Sequence, residues 1–146
     1  MATVNIYLTF NGNCEEAFNF YQSVFGGEFS YISKFSYMVD MENAPALSDE
    51  DKNRILHVAL PISNETMLFG CDNIQANEKN TTFGNNFSIV ITPNSKEEAD
   101  IFFSKLSAGG KIDMQMQTMF WGDYFGQFTD KFGINWMVCY DMSEDI

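Results

Sequence analysis

The fold is decided by the stretch Phe120-Trp-Gly-Asp-Tyr-Phe-Gly-Gln-Phe-Thr-Asp-Lys-Phe-Gly-Ile-Asn-Trp-Met-Val138, which contains both tryptophans of the chain. Residues 120–129 are aromatic and β-prone, residues 130–133 have turn chemistry, and residues 134–140 are apolar again. This order is typical of two strands joined by a tight turn. The stretch therefore predicts a hairpin at the end of the chain.

The residues before this hairpin predict a helix followed by a strand. Ser95 is a good N-cap residue, and Glu98, three positions later, completes the pattern of a capping box. Two glycines, Gly109 and Gly110, predict the end of the helix, because glycine adopts the left-handed conformation without strain. Apolar and polar residues then alternate from Ile112 to Gln117, which indicates an amphipathic strand.

The first half of the chain has the same order of signals. An alternating strand ends at Phe10, and a helix follows with Asn13 as its predicted N-cap, Glu16 in its first turn and the pair Gly26-Gly27 at its end. Three further strands are predicted. They cover residues 28–38, 55–60 and 66–71, and a solvated loop at 39–53 separates the first of them from the second.

The two helix caps, and likewise the two glycine pairs, lie about 82 residues apart, which is the signature of internal duplication. Both halves have the order strand, helix, strand, strand, strand. We therefore predict an α+β fold made of two βαβββ modules. The modules span residues 1–72 and 86–146 of a single domain, and a polar linker at 73–85 joins them.

Composition and charge exclude several classes of partner. The chain has 146 residues, 8 basic against 20 acidic side chains, and a formal net charge of −12. A surface that tracks phosphates needs clustered basic residues, so we expect neither nucleic acid nor an anionic membrane as a partner. Three cysteines without a C-x-x-C pair predict reduced thiols, and the absence of a signal-peptide pattern agrees with a cytoplasmic location.

Several segments resemble the PhnB-like branch of the vicinal oxygen chelate superfamily, which includes glyoxalase I, bleomycin-resistance proteins and extradiol dioxygenases. The resemblance covers nearly the whole chain. It is carried by these segments: Asn11-Gly-Asn-Cys-Glu-Glu-Ala-Phe-Asn-Phe-Tyr-Gln-Ser-Val-Phe-Gly-Gly27, Ile55-Leu-His-Val-Ala-Leu60, Glu97-Glu-Ala-Asp100, Phe120-Trp-Gly122 and Thr129-Asp-Lys-Phe-Gly-Ile-Asn-Trp-Met137.

The resemblance implies a glyoxalase-like fold, in which two curved mixed sheets form a partly open barrel around a cavity and the helices cover the outside. It also implies a homodimer. Relatives are sometimes described as methyltransferases, an activity for which we expect a nucleotide-cofactor loop. This chain has no G-x-G-x-x-G segment after a strand, so we predict no methyl transfer.

Catalytic members of the superfamily bind a divalent metal with His, Gln or Glu from the first and last strand of each module, and the metal acts as a Lewis acid. The corresponding positions here carry side chains that are poor metal ligands. These positions are Ile6 or Tyr7, Leu68 or Phe69, Phe87 or Ser88, and Trp136 or Met137. We therefore predict no metal and no other cofactor, with Tyr7 and Phe69 binding a ligand instead.

His57, the only histidine, is a further candidate. Alternation places it on the strand face opposite Leu56, Val58 and Leu60. It could bind a ligand or act as a general base, or it could be a structural histidine at the edge of the core.

Trp121 and Asp123 flank Gly122 at the entrance to a predicted strand. An aromatic wall with one carboxylate suits a planar or cationic ligand. Alternatively, Trp121 packs at a subunit interface and Asp123 is solvated. Farther along the hairpin, Trp136 is predicted to lie in the core and Asp130 to fix its turn.

Three functions remain open at this point. The first is a metal-free dimer that binds a small aromatic or cationic molecule in its cavity. The second is a lyase, isomerase or dioxygenase of the same superfamily, dependent on a metal or acting through an atypical site around His57. The third is a structural dimer with a filled core and no ligand.

Overall fold

The computed structural model describes residues 2–38, 41 and 46–145. The chain divides into two compact units, Met1–Thr82 and Phe83–Ile146, which are called the first and second unit below. The boundary lies inside the segment 73–85 that the sequence predicts as a linker. Part of the predicted loop, at 39–40 and 42–45, lies outside the described residues.

The first unit is a four-stranded mixed sheet with one long helix. Its elements in chain order are β1 (Ile6–Phe10), α1 (Cys14–Phe25), β2 (Tyr31–Lys34), a short α2 (Asp49–Asn53), β3 (Ile55–Pro61) and β4 (Met67–Asp72). The strand order is β1-β4-β3-β2. Strand β1 is parallel to β4, and the other neighbouring strands are antiparallel.

The second unit has the same plan. Its elements are β5 (Ile89–Ile91), α3 (Lys96–Ser107), β6 (Lys111–Thr118), β7 (Asp123–Thr129) and β8 (Asn135–Asp141). The strand order β5-β8-β7-β6 corresponds strand for strand to that of the first unit, and β5 is again parallel to β8. The predicted α+β fold with two βαβββ modules is therefore confirmed. Neither sheet closes into a barrel on its own.

In each unit a helix packs on one face of the sheet, and a glycine on a strand makes room for a phenylalanine. A Cβ atom at Gly70 in β4 would lie 2.4 Å from the ring of Phe18 in α1. In the second unit, a Cβ atom at Gly126 in β7 would lie 2.7 Å from the ring of Phe103 in α3. Both rings are buried. The missing side chains thus let the helices approach the strands closely.

The start of α1 differs from its prediction. Asn13 makes no side-chain capping hydrogen bond. Instead, the buried carboxylate of Asp72, at the end of β4, accepts hydrogen bonds from the backbone amides of Gly12 at 2.8 Å and Cys14 at 3.0 Å. Its second oxygen accepts from the amide of Ile55 at 2.9 Å. A residue distant in sequence therefore caps the helix and joins it to two strands.

The start of α3 agrees with its prediction. The hydroxyl of Ser95 accepts a hydrogen bond from the amide of Glu98 at 3.0 Å, and the Glu98 carboxylate accepts one from the amide of Asn94 at 3.0 Å. The helix ends before Gly109, whose φ of +79° is in the left-handed region. Both ends of α3 are therefore determined by residues that are close to them in sequence.

Three predicted elements differ from the structure in length or kind. The strand predicted at 28–38 is limited to β2 and continues as a 3₁₀ helix, Phe35–Met38. The loop predicted at 39–53 ends in α2, whose amide at Asp51 donates to the hydroxyl of Ser48. The linker contains a 3₁₀ helix, Gln75–Asn80.

The 3₁₀ helix Gln75–Asn80 is held to α2 by Arg54, the only arginine of the chain. Arg54 is 7% exposed. Its guanidinium lies 2.8 Å from the carboxylate of Glu78 and 3.2 Å from that of Glu50, and it donates a hydrogen bond to the carbonyl of Asn73. The guanidinium also packs against Gly12, at which a Cβ atom would lie only 3.1 Å from it. The turn between β1 and α1 therefore belongs to the same cluster.

No helix among the described residues is long and apolar enough to cross a membrane.

Candidate functional site

The first sheet has an aromatic face on the side opposite α1. Side chains alternate along a strand, so Tyr7 and Phe69 lie on the face away from Gly70 and its contact with α1. The register places Tyr7 beside Phe69, Phe69 beside Ala59 and Ala59 beside Tyr31. Four side chains form what is called the aromatic face below: Tyr7, Tyr31, His57 and Phe69.

His57 is at the centre of the aromatic face. Its ring centroid lies 5.5 Å from that of Tyr7 and 6.2 Å from that of Phe69, with both pairs stacked at interplanar angles of 24° and 10°. The ring of Tyr31 is tilted against it at 5.0 Å. Offset arrangements at these distances are favourable for aromatic rings. The imidazole is thus held in one plane by three neighbours on three different strands.

A hydrogen bond fixes the imidazole further. The hydroxyl of Tyr7 lies 3.0 Å from Nδ1 of His57. The other ring nitrogen, Nε2, has no hydrogen-bond partner among the residues that the structure describes. The structure therefore presents one nitrogen of His57 to a group from outside the chain.

The phenol of Tyr7 keeps its proton. Burial raises its pKa well above the ordinary value, and the neighbouring thiol of Cys71 acts in the same direction. An ionised phenolate at this position would lose solvation and lie beside a sulfur that can itself become negative. Tyr7 therefore takes part in the site as a neutral hydroxyl.

The aromatic face is accessible within its unit. Tyr7 is 50% exposed and Tyr31 is 43% exposed, while His57 and Phe69 are half-buried. Half-exposed rings beside a polar nitrogen give a surface on which a planar molecule can stack and form one directed hydrogen bond.

Trp121 and Asp123 form a separate pair in the second unit. The indole Nε1 of Trp121 donates a hydrogen bond to the carboxylate of Asp123 at 2.7 Å. Trp121 is 54% exposed, and the ring of Phe120, which is 97% exposed, packs edge-on against it at 4.8 Å. Asp123, which the sequence suggests as a partner for a cationic ligand, therefore already accepts a hydrogen bond from Trp121.

The structure places several of the positions that the resemblance aligns with metal ligands. Tyr7 and Phe69 are side by side on β1 and β4, while Trp136 is buried and paired with Ile89. Among the described residues, no three His, Cys, Asp or Glu side chains come together in an arrangement that could hold a metal ion.

Of the five candidate residues, the structure brings together Tyr7, His57 and Phe69. Tyr31 is the residue that sequence reasoning missed. Its β2 pattern showed a strand, but only the pairing of Tyr31 with Ala59 on β3 places its ring on the same face as His57.

Two sequence comparisons identify the family to which this chain belongs. A family model described as 3-demethylubiquinone-9 3-methyltransferase matches residues 2–139. The protein YjdN of Escherichia coli (strain K12) is 32% identical to this chain over an alignment of 137 residues, and the match covers 90% of each protein.

Solved structures agree with this match. Protein PA1353 from Pseudomonas aeruginosa has a TM-score of 0.79 and 33% identity, covering 97% of this chain and 98% of that one. A Bacillus cereus protein described as a putative 3-demethylubiquinone-9 3-methyltransferase, PhnB protein, has a TM-score of 0.75 and 28% identity, covering 95% and 99%. A glyoxylase/bleomycin resistance protein/dioxygenase domain from Frankia sp. EAN1pec shares the fold, with a TM-score of 0.63 at 10% identity over 97% and 92% of the two chains.

Proposed function

Because the chain belongs to the PhnB-like branch of the vicinal oxygen chelate superfamily, we propose that it binds a small aromatic or cationic molecule. The observation that carries this proposal is the aromatic face of the first sheet. Stacking on such rings favours planar and cationic ligands. The net charge of −12 supports a neutral or cationic ligand over an anionic one.

The proposal is one of binding rather than methyl transfer. The matched family is described by a methyltransferase activity, but this chain has no G-x-G-x-x-G segment after a strand to hold a nucleotide cofactor. The family therefore supports the fold, and the side chains of the aromatic face support the chemistry.

We propose further that the protein works as a metal-free homodimer. The absence of ligating side chains at the positions of Tyr7, Phe69 and Trp136 supports metal-free binding. The exposed pair Phe120 and Trp121 supports an association between copies, because large apolar side chains in contact with solvent favour burial. Trp121 and Asp123 remain candidate ligand-binding residues of the second unit.

Native mass spectrometry tests the state of the protein. We expect a dimer without bound metal, and any additional mass retained would identify the ligand. About one divalent metal per chain would overturn the metal-free proposal and favour a metal-dependent enzyme, while a monomer would overturn the dimer.

A thermal-shift screen of aromatic and cationic compounds tests binding, because a ligand of the native state raises its stability. We expect stabilisation of the wild type, a reduced shift for Tyr31→Ala and an unchanged shift for Tyr37→Ala. Tyr37 is a suitable control because it is an exposed tyrosine of the same unit without a ring contact to the aromatic face. A shift that is the same in all three proteins would place binding elsewhere.

A second function follows if Tyr7 instead accepts a hydrogen bond from Nδ1 of His57, because Nε2 then has a free lone pair and can take a proton as a general base. In that case His57→Gln abolishes turnover of a substrate while the ligand still binds. Turnover that survives the substitution would remove His57 from the mechanism.

A further inference from the structure

The orientation of the imidazole in the aromatic face narrows the class of ligand. A neutral imidazole has one N–H group and one lone pair, and the partner of Nδ1 decides which nitrogen carries the proton. Here the partner of Nδ1 is the hydroxyl of Tyr7, at 3.0 Å. The chemistry at Nε2 therefore depends on whether this hydroxyl donates or accepts.

The surroundings of Tyr7 favour donation. Its phenol is neutral, since burial and Cys71 raise its pKa, and so it has a proton to place. Its hydroxyl lies 3.0 Å from Nδ1 of His57 and also has the thiol of Cys71 as a hydrogen-bonding neighbour, but sulfur is a weak acceptor whereas an imidazole nitrogen is a strong one. If Nδ1 carried the proton, the phenol proton would be left to this sulfur or to water, and the bond from the phenol to the better acceptor would be lost.

We infer that Tyr7 donates to Nδ1 and that His57 therefore presents an N–H donor at Nε2, so that the site selects planar ligands with a hydrogen-bond acceptor at their edge. Suitable acceptors are a carbonyl oxygen or an aromatic ring nitrogen. This inference rests on the proposed function, because it concerns the ligand of the aromatic face. The inference also gives the side chains two different roles. Tyr31 and Phe69 stack on the ligand, and His57 fixes its orientation by a hydrogen bond.

Nitrogen-15 NMR of the untagged protein tests the first step without any ligand. His57 is the only histidine, so the spectrum contains one imidazole. At a pH at which this imidazole is neutral, we expect a pyrrole-type signal from Nε2 and a pyridine-type signal from Nδ1. In Tyr7→Phe the preference for this tautomer should be lost, whereas Tyr31→Phe, which removes a hydroxyl that makes no hydrogen bond to His57, should leave it unchanged. A proton on Nδ1 in the wild type would overturn the inference.

Three planar probes of similar size test the second step. Isoquinoline carries a ring-nitrogen acceptor, naphthalene carries no polar group, and indole carries only an N–H donor. We expect isoquinoline to bind about fivefold more tightly than naphthalene, as one net hydrogen bond allows, and to shift the Nε2 signal. In Tyr7→Phe the ratio of the affinities for isoquinoline and naphthalene should fall towards one.

The outcomes are distinguishable. If no probe binds, the aromatic face is not a site for planar aromatic molecules, and both this form of the proposed function and the inference about the acceptor are wrong. If the probes bind but naphthalene or indole equals isoquinoline, the aromatic face still binds planar molecules and only the inference about the acceptor is wrong.

Discussion

The carboxylate of Asp130 accepts a hydrogen bond at 2.8 Å from the indole Nε1 of Trp136, and both side chains are buried. The other carboxylate oxygen accepts from the backbone amides of Phe132 at 2.8 Å and Ile134 at 3.0 Å. One side chain thus fixes the turn between β7 and β8 and also anchors the largest core side chain of the second unit. Both predicted roles, Asp130 in the turn and Trp136 in the core, are confirmed.

Asp130→Asn should destabilise the protein by roughly 1–3 kcal/mol, because the amide turns one accepting oxygen into a donor that faces another donor. Chemical denaturation followed by the near-UV signal of tryptophan measures the loss. Asp113→Asn is the matched control on exposed strand β6 and should change stability by less than about 0.5 kcal/mol. Equal effects at the two positions would contradict the role of Asp130.

Asp72→Ala should cost about 3 kcal/mol, because it leaves three backbone amides at the start of α1 and β3 without their acceptor. Asn13→Ala should cost less than about 0.5 kcal/mol, since Asn13 makes no capping hydrogen bond. The free energy of unfolding of the two variants, measured side by side in urea, distinguishes the long-range cap from the local one. A larger loss at Asn13 would show that α1 is capped locally.

Gly70→Ala should destabilise the first unit by roughly 1–3 kcal/mol, because the new methyl group overlaps the buried ring of Phe18. The double variant with Phe18→Leu should recover part of this loss beyond additivity, which a double-mutant cycle measures. Gly84→Ala is the control, since the nearest atom to its new methyl group, Oδ1 of Asn86, would be at the ordinary contact distance of 3.8 Å. Strict additivity of the first two changes would contradict the close approach.

The phenol of Tyr124 should ionise at a higher pH than an ordinary tyrosine. Its hydroxyl donates to the carboxylate of Asp100 at 2.5 Å, and this bond, followed by burial, raises the pKa of Tyr124 to about 12 from 10.0. In the unfolded chain the phenol ionises first, so this contribution to stability is complete below pH 10 and is lost as the pH rises towards 12. Carbon-13 NMR of labelled tyrosine, assigned with Tyr124→Phe, follows the titration.

The variant Asp100→Asn should lower the pKa of Tyr124 towards its ordinary value and reduce the loss of stability at alkaline pH. Glu97→Gln removes a charge from an exposed position of the same helix and should leave the titration unchanged. A pKa of Tyr124 that does not respond to Asp100→Asn would contradict the assignment of the shift to this hydrogen bond.

Local chemistry predicted most of the fold. The hairpin around Asp130, the Ser95 cap and the stop at Gly109 involve residues close in sequence, and such signals can be read in order along the chain. The prediction was wrong where a partner came from far away. Asp72 replaces Asn13 as the cap of α1 because β4 is adjacent to β1 in the folded sheet, a contact that no local pattern records.

Strand faces were harder to predict from alternation alone. Ile112 shares the apolar pattern of Met114 and Met116, yet it is exposed, because β6 is an edge strand with irregular pairing to β7. A register shift changes which side chains share a face. Alternation can therefore identify β6 as a strand without fixing the surroundings of each side chain.

The candidate site shows the same limit. Alternation placed His57 on the face away from Val58, and the structure confirms this position. The stacking of Tyr31 on His57 depends on the pairing of β2 with β3. Cross-strand register is set by the whole sheet, so the sequence could name most members of the aromatic face but not assemble them.

Because Arg54 is buried, cleavage of the chain at this residue reports local opening of the first unit. An arginine-specific protease has a single target in the sequence, the peptide bond between Arg54 and Ile55. In the folded first unit, the guanidinium is enclosed by Glu50 and Glu78, and the amide of Ile55 is bonded to Asp72. Cleavage therefore requires this region to open, and the rate at which two fragments appear measures how often it does so.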